Sequence, residues 1–292
     1  MNTDATAERL RDHVYRLAGT IGERNVYRPQ ALHAAEDYIT QIWHGLGYTV
    51  VPQTYTVKGV RSANLEITRA GSASPEEIIL IGAHYDSVIG SPGANDNASG
   101  VAALLELSRL FTTVAPARTL RLVAFVNEEP PFFNIGQPGS MLYAREARRR
   151  GDNIRLMAAL ETIGCYRDEP GSQSYPPLLR YWYPDRGDFV AFISNFRSRR
   201  VMHRFARAFR AASDFPLEHA ALPAIIPGVA WSDHLSFWRH RYRAMMITDT
   251  AFYRYPYYHT AQDTPEKLDY HNLARLTTGL CWALVALADQ SH

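Results

Sequence analysis

Cysteine is almost absent from this chain. Only Cys165 and Cys281 occur among 292 residues, and both lie in apolar stretches. So few cysteines exclude the disulfide framework on which small secreted domains depend. We therefore expect two free, buried thiols.

Long apolar runs are also missing. The first twelve residues contain no apolar signal core, and no run reaches the roughly 18 apolar residues of a membrane helix. These absences predict a cytoplasmic protein that does not contact a membrane. A net charge of +2 with 21% charged residues gives no indication of nucleic-acid binding. The oligomeric state cannot be inferred from the composition.

The most basic stretch is residues 197–210, which is rich in arginine. Val201, Phe205 and Phe209 recur there at helical spacing, which predicts an amphipathic helix with a solvated basic face. A partner-binding surface on that helix is the alternative.

Apolar strand-like and helix-like segments alternate along the chain without a linker or an internal repeat, and 46% of the residues are hydrophobic. This pattern predicts one α/β domain over residues 1–292, a three-layer αβα sandwich around a mixed, mostly parallel sheet. Pro52 places the strand at residues 48–57 on a sheet edge, where residues 62–68 pair with it as a hairpin. Residues 166–188 are too irregular to assign as a lid, a dimer contact or a surface loop.

The chain is organised around residues 78–83, an apolar run that reads as a buried strand. His84 and Asp86 follow at its carboxyl end, where open α/β sheets place their chemistry. Positions i and i+2 share one face of a strand, so Asp86 can accept a hydrogen bond from one ring nitrogen of His84. Asp96 comes next, just before an apolar helix. An ordinary surface pair and a turn with a helix cap are the alternative interpretations.

Other acids and histidines follow the later strands. Glu128 and Glu129 come after residues 120–126, and Glu161 ends the next apolar strand. His259 lies in an aromatic loop, and Asp233 precedes a further histidine at the start of a short helix.

Two imidazoles and three carboxylates suit a pair of divalent metals roughly 3.5–4 Å apart. The five candidate ligands are His84, Asp96, Glu129, Glu161 and His259. Their mixed nitrogen and oxygen donors fit Zn²⁺ best, with Co²⁺ or Mn²⁺ possible. Glu128 is then free to act as a base.

At this point the sequence resembles the M28 metallopeptidases, which are co-catalytic zinc aminopeptidases with the glutaminyl cyclases as relatives. The resemblance implies that Asp96 bridges two zinc ions. His84 and Glu161 complete one site, and Glu129 and His259 complete the other. The matching motifs are residues 82–87, 93–100, 127–129, 161–164, 232–234 and 259–264.

The resemblance also implies catalytic roles. Glu128 is expected to be the general base, and Asp86 is expected to orient His84. Asp233, within the matching motif 232–234, is a further candidate catalytic residue.

Two features depart from the family pattern. Glu161 stands where the family usually has aspartate, so its side chain is longer by one methylene. Residues 130–133, Pro-Pro-Phe-Phe, also differ from the commonest members and predict a differently shaped pocket.

The expected function is a dizinc exopeptidase that removes the N-terminal residue from a peptide or amino-acid amide. A single-zinc cyclase acting on N-terminal glutamine is one alternative, and a peptidase-like binding module without activity is another. Aromatic residues at 132–133 and 252–258 lead us to expect a preference for Leu or Phe over Ala, Asp or Lys at the substrate's N-terminus. Blocked substrates should not be cleaved.

Overall fold

The computed structural model describes residues 2–132 and 138–289. Eight strands form one sheet with the order β1-β2-β4-β3-β5-β8-β6-β7. The strands are β1 (Val51–Val57), β2 (Val60–Arg69), β3 (Ser74–His84), β4 (Arg118–Phe125), β5 (Asn153–Glu161), β6 (Val190–Ser194), β7 (Leu217–Ala221) and β8 (Ala244–Thr248).

The sheet is mixed, as predicted. The neighbouring strands β4, β3, β5 and β8 run parallel to one another, and β6 and β7 form a parallel pair that runs antiparallel to β8. β1 and β2 form the antiparallel hairpin that Pro52 indicated, with β1 at the edge. Because four parallel strands lie side by side, their carboxyl ends meet at one edge of the sheet.

Helices cover both faces, which confirms the three-layer αβα architecture. The helices of the larger layer pack against one another and cover the larger apolar core on one face of the sheet. The helices of the smaller layer cover the opposite face. The larger layer contains α1 (Thr3–Val14), α2 (Pro29–Gly45), α3 (Gly100–Phe111), α5 (Arg199–Ala212) and α7 (Tyr270–Asp289), and the smaller one contains α4 (Gly139–Arg150) and α6 (His234–Arg239).

The basic segment forms α5 as expected, with Phe205 and Phe209 buried against Phe192 of β6. Cys165 and Cys281 are free and buried, also as expected. None of the helices in the described ranges is long and apolar enough to cross a membrane. One strand, β7, was not anticipated, because its sequence Leu-Glu-His-Ala-Ala has no β-branched residue and does not read as a strand.

Gly82 of β3 leaves room for the ring of Phe125, which belongs to the neighbouring strand β4. A Cβ atom at Gly82 would clash with Cε2 of Phe125. Both residues belong to the face that α4 and α6 cover, since Phe125 contacts Tyr143 and Phe237 there. The absence of a side chain at Gly82 is therefore a packing requirement.

We predict that Gly82→Ala lowers the free energy of unfolding by about 1–3 kcal/mol, the usual cost of overpacking a core. Guanidinium unfolding with chelator present would measure this without a contribution from bound metal. Gly45→Ala is the matched control, because a Cβ at Gly45 meets nothing within 4 Å. A Gly82→Ala/Phe125→Leu double variant should recover part of the loss. Unchanged stability in Gly82→Ala would contradict this account of the packing.

Candidate metal centre

Adjacent parallel strands bring the predicted acids and histidines together. His84 is the last residue of β3, Glu161 is the last residue of β5, and Glu128 and Glu129 follow β4 within a few residues. These three strands are neighbours in the sheet, with β3 in the middle. The sequence-based placement of these residues at one sheet edge therefore agrees with the structure.

One group of donors surrounds the His84 ring. Its Nε2 lies 3.2 Å from Oδ1 of Asp96 and 3.3 Å from Oε2 of Glu161. Ser232 donates a hydrogen bond to the same Glu161 oxygen at 2.8 Å. The longer glutamate side chain at position 161 therefore still reaches the centre.

A second group surrounds His259. Its Nε2 lies 3.0 Å from Oδ2 of Asp96 and 3.2 Å from Oε2 of Glu129. The other Glu129 oxygen accepts a hydrogen bond from the backbone N–H of Val88 at 3.0 Å. The ring of Tyr258 stacks on the His259 ring with 3.9 Å between centroids. Asp96 thus presents one carboxylate oxygen to each histidine.

The hydrogen-bond inventory fits a metal at this position. Nε2 of His84, Oδ1 of Asp96 and Nε2 of His259 are buried, and they have no hydrogen-bond partner among the described residues. Buried polar atoms without partners are rare and require an explanation such as a bound ion. His84, Asp96 and Glu129 each offer a ligand atom within 4.8 Å of the others. Imidazole and carboxylate donors in this number suit Zn²⁺.

Asp86 lies beside His84, but its carboxylate has a further task. Nδ1 of His84 is 3.3 Å from the backbone carbonyl oxygen of Asp86 and 3.6 Å from its Oδ1, so the backbone oxygen is the nearer acceptor. The two carboxylate oxygens accept the backbone N–H groups of Glu128 and Glu129 at 3.2 and 3.1 Å. Asp86 therefore fixes the backbone that carries both glutamates.

Asp263 holds the segment that carries Asp96. Its Oδ1 accepts the backbone N–H of Asn95 at 2.8 Å, and its Oδ2 accepts that of Asp96 at 3.1 Å. Tyr255 also donates to Oδ1 at 2.8 Å. The sequence motif contained Asp263 without indicating this role, and its position four residues after His259 is the signal that relates it to the site.

Arg24 was missed in the sequence. Its buried guanidinium donates to the backbone carbonyls of Tyr85 at 2.6 Å and of Gly93 at 2.9 Å, and so fastens both ends of the loop before Asp96. Burial lowers the pKa of Arg24 to about 10, although nearby carboxylates oppose this. Nothing in the local pattern distinguishes Arg24 from the many exposed arginines of this chain.

Glu128 lies beside the donor groups. Its Oε2 is 3.9 Å from Nε2 of His84, farther than the atoms of Asp96 and Glu161. Burial raises the pKa of Glu128 well above its usual range; the charge of His84 opposes this, and the neighbouring carboxylates reinforce it. A carboxyl group with a raised pKa beside a metal site is suited to taking up and releasing a proton.

Asp233 and its neighbour His234 lie farther from the centre. Burial raises the pKa of Asp233 to about 7, and neither of its carboxylate oxygens has a hydrogen-bond partner among the described residues. His234 points elsewhere, since its Nε2 is 2.9 Å from the carbonyl oxygen of Val229. The acid of this pair remains a candidate catalytic residue, whereas the histidine is a structural element.

A pocket enclosing about 790 Å³, part of it open to solvent, leads away from Glu161. Phe252, Tyr253 and Tyr258 line it, as expected from the aromatic loop. Phe132 and Tyr255 are instead buried in the protein. Phe133, the remaining residue of the Pro-Pro-Phe-Phe segment, lies outside the described residues.

An α/β sandwich with imidazole and carboxylate donors gathered at its strand ends is suited to a metal-dependent enzyme. The model of peptidase family M28 matches residues 64–283, and the chain belongs to that family. The protein YfbL of Escherichia coli is 38% identical over 285 residues, which cover 94% of this chain and 87% of YfbL.

Two solved structures show how the fold is shared. BSAP, a zinc aminopeptidase from Bacillus subtilis, superposes with a TM-score of 0.75 at 15% identity over 95% of this chain and 94% of its own. The glutaminyl cyclase of Fimbriiglobus ruber superposes with a TM-score of 0.71 at 18% identity over 98% of this chain and 95% of its own. At such identities the similarity establishes the fold, and both activities occur on it.

We predict that Asp96→Ala removes all bound zinc, because each histidine faces a different oxygen of this carboxylate. The thermal stability of the Asp96→Ala variant should fall together with its zinc content, since metal binding contributes to the free energy of folding. Elemental analysis after dialysis would measure the zinc content. Asp37→Ala on the exposed face of α2 is the matched control. Full zinc content in Asp96→Ala would disprove the shared role.

We also predict that zinc affinity rises with pH. Burial, reinforced by the charge of Asp96, raises the pKa of Glu129 to about 8 in the metal-free protein. Burial lowers the pKa of His259, but the adjacent carboxylates of Asp96 and Glu129 outweigh this and raise it to about 11. At neutral pH both groups therefore hold protons that zinc must displace.

The expected gain is roughly tenfold in affinity per pH unit for each proton released. Competition with a chelator between about pH 6.5 and 8.5, corrected for the chelator's own protonation, would measure it. Calorimetry in buffers of different ionisation enthalpy would count the protons. A zinc affinity that stays constant over this range would show that the ligands are already deprotonated.

Proposed function

We propose that this chain is a dizinc aminopeptidase that hydrolyses the bond after the N-terminal residue of a peptide or amino-acid amide. The observation that carries the proposal is the position of Asp96 between two histidines, with Oδ1 3.2 Å from His84 and Oδ2 3.0 Å from His259. One carboxylate that faces two imidazoles through separate oxygens is suited to bridging two ions.

Each ion has its own set of protein ligands in this proposal. His84 and Glu161 would hold one ion together with Asp96, and Glu129 and His259 would hold the other together with the second oxygen of Asp96. When bound, the ions polarise the scissile carbonyl and lower the pKa of the attacking water. The protein aligns these ligands in advance through the hydrogen bonds from Ser232 to Glu161 and from Val88 to Glu129.

Glu128 moves the proton in this reaction. Its carboxylate takes a proton from the attacking water and delivers it to the leaving amine, so that the catalyst returns to its starting state. Asp86 holds the Glu128 backbone in place through the N–H at 3.2 Å.

The acid-rich centre also favours a substrate with a free amine. Asp96, Glu128, Glu129 and Glu161 are all buried within it, so an N-terminal ammonium finds compensating negative charge. An acetylated N-terminus lacks that charge and adds bulk at the same place. Exopeptidase rather than endopeptidase activity follows from this requirement.

Cyclisation of N-terminal glutamine is the second candidate, supported by the fold shared with the Fimbriiglobus ruber enzyme. That reaction uses the substrate's own amine as the nucleophile and releases ammonia. Release of a free amino acid from peptides, without ammonia from an N-terminal glutamine, separates the two. The Nε2 atoms of His84 and His259 lack hydrogen-bond partners among the described residues, which favours the aminopeptidase with two ions.

We predict that Glu128→Gln keeps the zinc content of the wild type and lowers kcat by about 10²–10⁴-fold, as expected for loss of a proton-transferring group. Steady-state kinetics on amino-acid p-nitroanilides, paired with elemental analysis, would measure both. Glu8→Gln, the same chemical change on the exposed face of α1, is the matched control. Near-wild-type kcat in Glu128→Gln would remove this residue from the mechanism.

A further inference from the structure

The pocket that begins at Glu161 continues along the sheet over β8, β6 and β7. The helices of the smaller layer contact β2, β5 and β8, and the pocket lies beyond them on the same face. Its outer wall comes from the irregular segment 173–183 and from residues 227–231. The segment whose role the sequence left open therefore forms one side of the pocket.

The strand register shows what lies along the floor. Glu161 pairs with Thr248, Thr248 with Ala191, and Ala191 with Glu218, so these four residues form one row across the sheet. All four line the pocket. Neighbouring strands lie about 4.8 Å apart, which separates Glu161 from Glu218 by about 14 Å. The two residues between them have small side chains, so the row is a channel with a carboxylate at each end.

Glu218 carries the carboxylate at the far end of this row. Within residues 2–132 and 138–289 its carboxylate takes part in no hydrogen bond or ion pair. Arg210, the nearest candidate, donates to the backbone carbonyl of Leu217 at 2.9 Å. Burial raises the pKa of Glu218, Arg210 opposes this, and Asp188 adds to it. A half-buried carboxylate in a pocket lined mainly by apolar and aromatic side chains, with His219 beside it, gains from a cation placed next to it.

Aromatic rings line the sides of the channel. Tyr175 and Tyr183 stack with 5.9 Å between centroids, and both lie near the end that holds Glu218. Phe252 and Tyr258 line the end nearer the metal centre. Flat aromatic faces bind the aliphatic stem and the planar head of arginine, and cation–π attraction adds to the contact.

We propose that this pocket binds the cationic side chain of an N-terminal arginine or lysine and that Glu218 determines this specificity. The inference rests on the proposed aminopeptidase function. It replaces the expectation from the aromatic loop that Leu and Phe exceed Lys, because that expectation did not include an acid at the far end of the pocket.

The length of the side chain supports the assignment. The row is about 14 Å long between the backbone positions of Glu161 and Glu218, so only a long side chain can reach from the metal centre toward Glu218. Arginine spans seven bonds from its α-nitrogen to a terminal guanidinium nitrogen, about 8–9 Å when extended, and leucine spans about 5 Å. Leucine would leave the carboxylate of Glu218 facing an unfilled channel.

The test compares kcat/KM for arginine, lysine, norleucine and leucine p-nitroanilides. Norleucine is the control substrate because it has an unbranched chain without the charge. Wild-type protein should favour arginine over norleucine by about ten- to a hundredfold, the range for a hydrogen bond to a charged group. Glu218→Gln should lose that preference through a higher KM with little change in kcat, and leucine cleavage should stay within about twofold.

Three variants keep the test decisive. Glu8→Gln should behave as wild type throughout, because that side chain is exposed on α1. Glu218→Asp retains the charge on a shorter side chain and should keep part of the arginine preference. This variant separates the loss of charge from any structural effect of the glutamine side chain in Glu218→Gln. Glu218→Lys should reject arginine more strongly than Glu218→Gln does.

Binding provides a measurement that does not depend on hydrolysis. Calorimetry with L-argininamide and L-norleucinamide, on zinc-free protein and on zinc-loaded Glu128→Gln protein, should show tighter binding of argininamide that the additional change Glu218→Gln abolishes. Such binding without cleavage of any substrate would overturn the proposed function and retain the assignment of the pocket. Equal binding of the two amides, or an arginine preference that survives in Glu218→Gln, would overturn the assignment.

Discussion

Concentrated negative charge in a buried place is the constraint on which this molecule depends. Asp96, Glu128, Glu129 and Glu161 lie together where β3, β4 and β5 end, and all four are buried. Carboxylates this close cannot all ionise without compensation. Burial, together with the neighbouring charge of Asp96, accordingly raises the pKa of Glu129 to about 8. Two histidines provide part of the compensation, and divalent cations together with a substrate's ammonium group would provide the rest.

The surrounding chain holds this arrangement through its backbone. Asp86 accepts the N–H groups of both glutamates after β4, and Asp263 accepts those of Asn95 and Asp96. Arg24 fastens the loop between them by donating to backbone carbonyls. Acids that do not face the metal position thus orient those that do, as supporting hydrogen bonds do around other metal sites.

The sequence revealed the parts of this design that follow strand ends. The apolar run at residues 78–83 predicts a buried strand. Because the carboxyl ends of parallel strands meet at one edge of the sheet, the proximity of His84 to Glu161 could be predicted. Arg24 could not be predicted, because its partners are backbone atoms that carry no sequence signature. Glu218 escaped notice because the short strand β7 resembles a loop in sequence, and only the register places it in line with Glu161.

The position of β7 at the end of the sheet has a consequence for how such enzymes diverge. The candidate metal ligands His84 and Glu161 end central parallel strands, where a substitution disturbs neighbours on both sides. β7 has a neighbouring strand on one side only, and its pocket-facing residues touch none of those ligands. Under the proposed function, a substitution at position 218 would alter the preferred substrate and leave the candidate metal ligands in place. Relatives with the same candidate metal ligands can accordingly differ in substrate specificity.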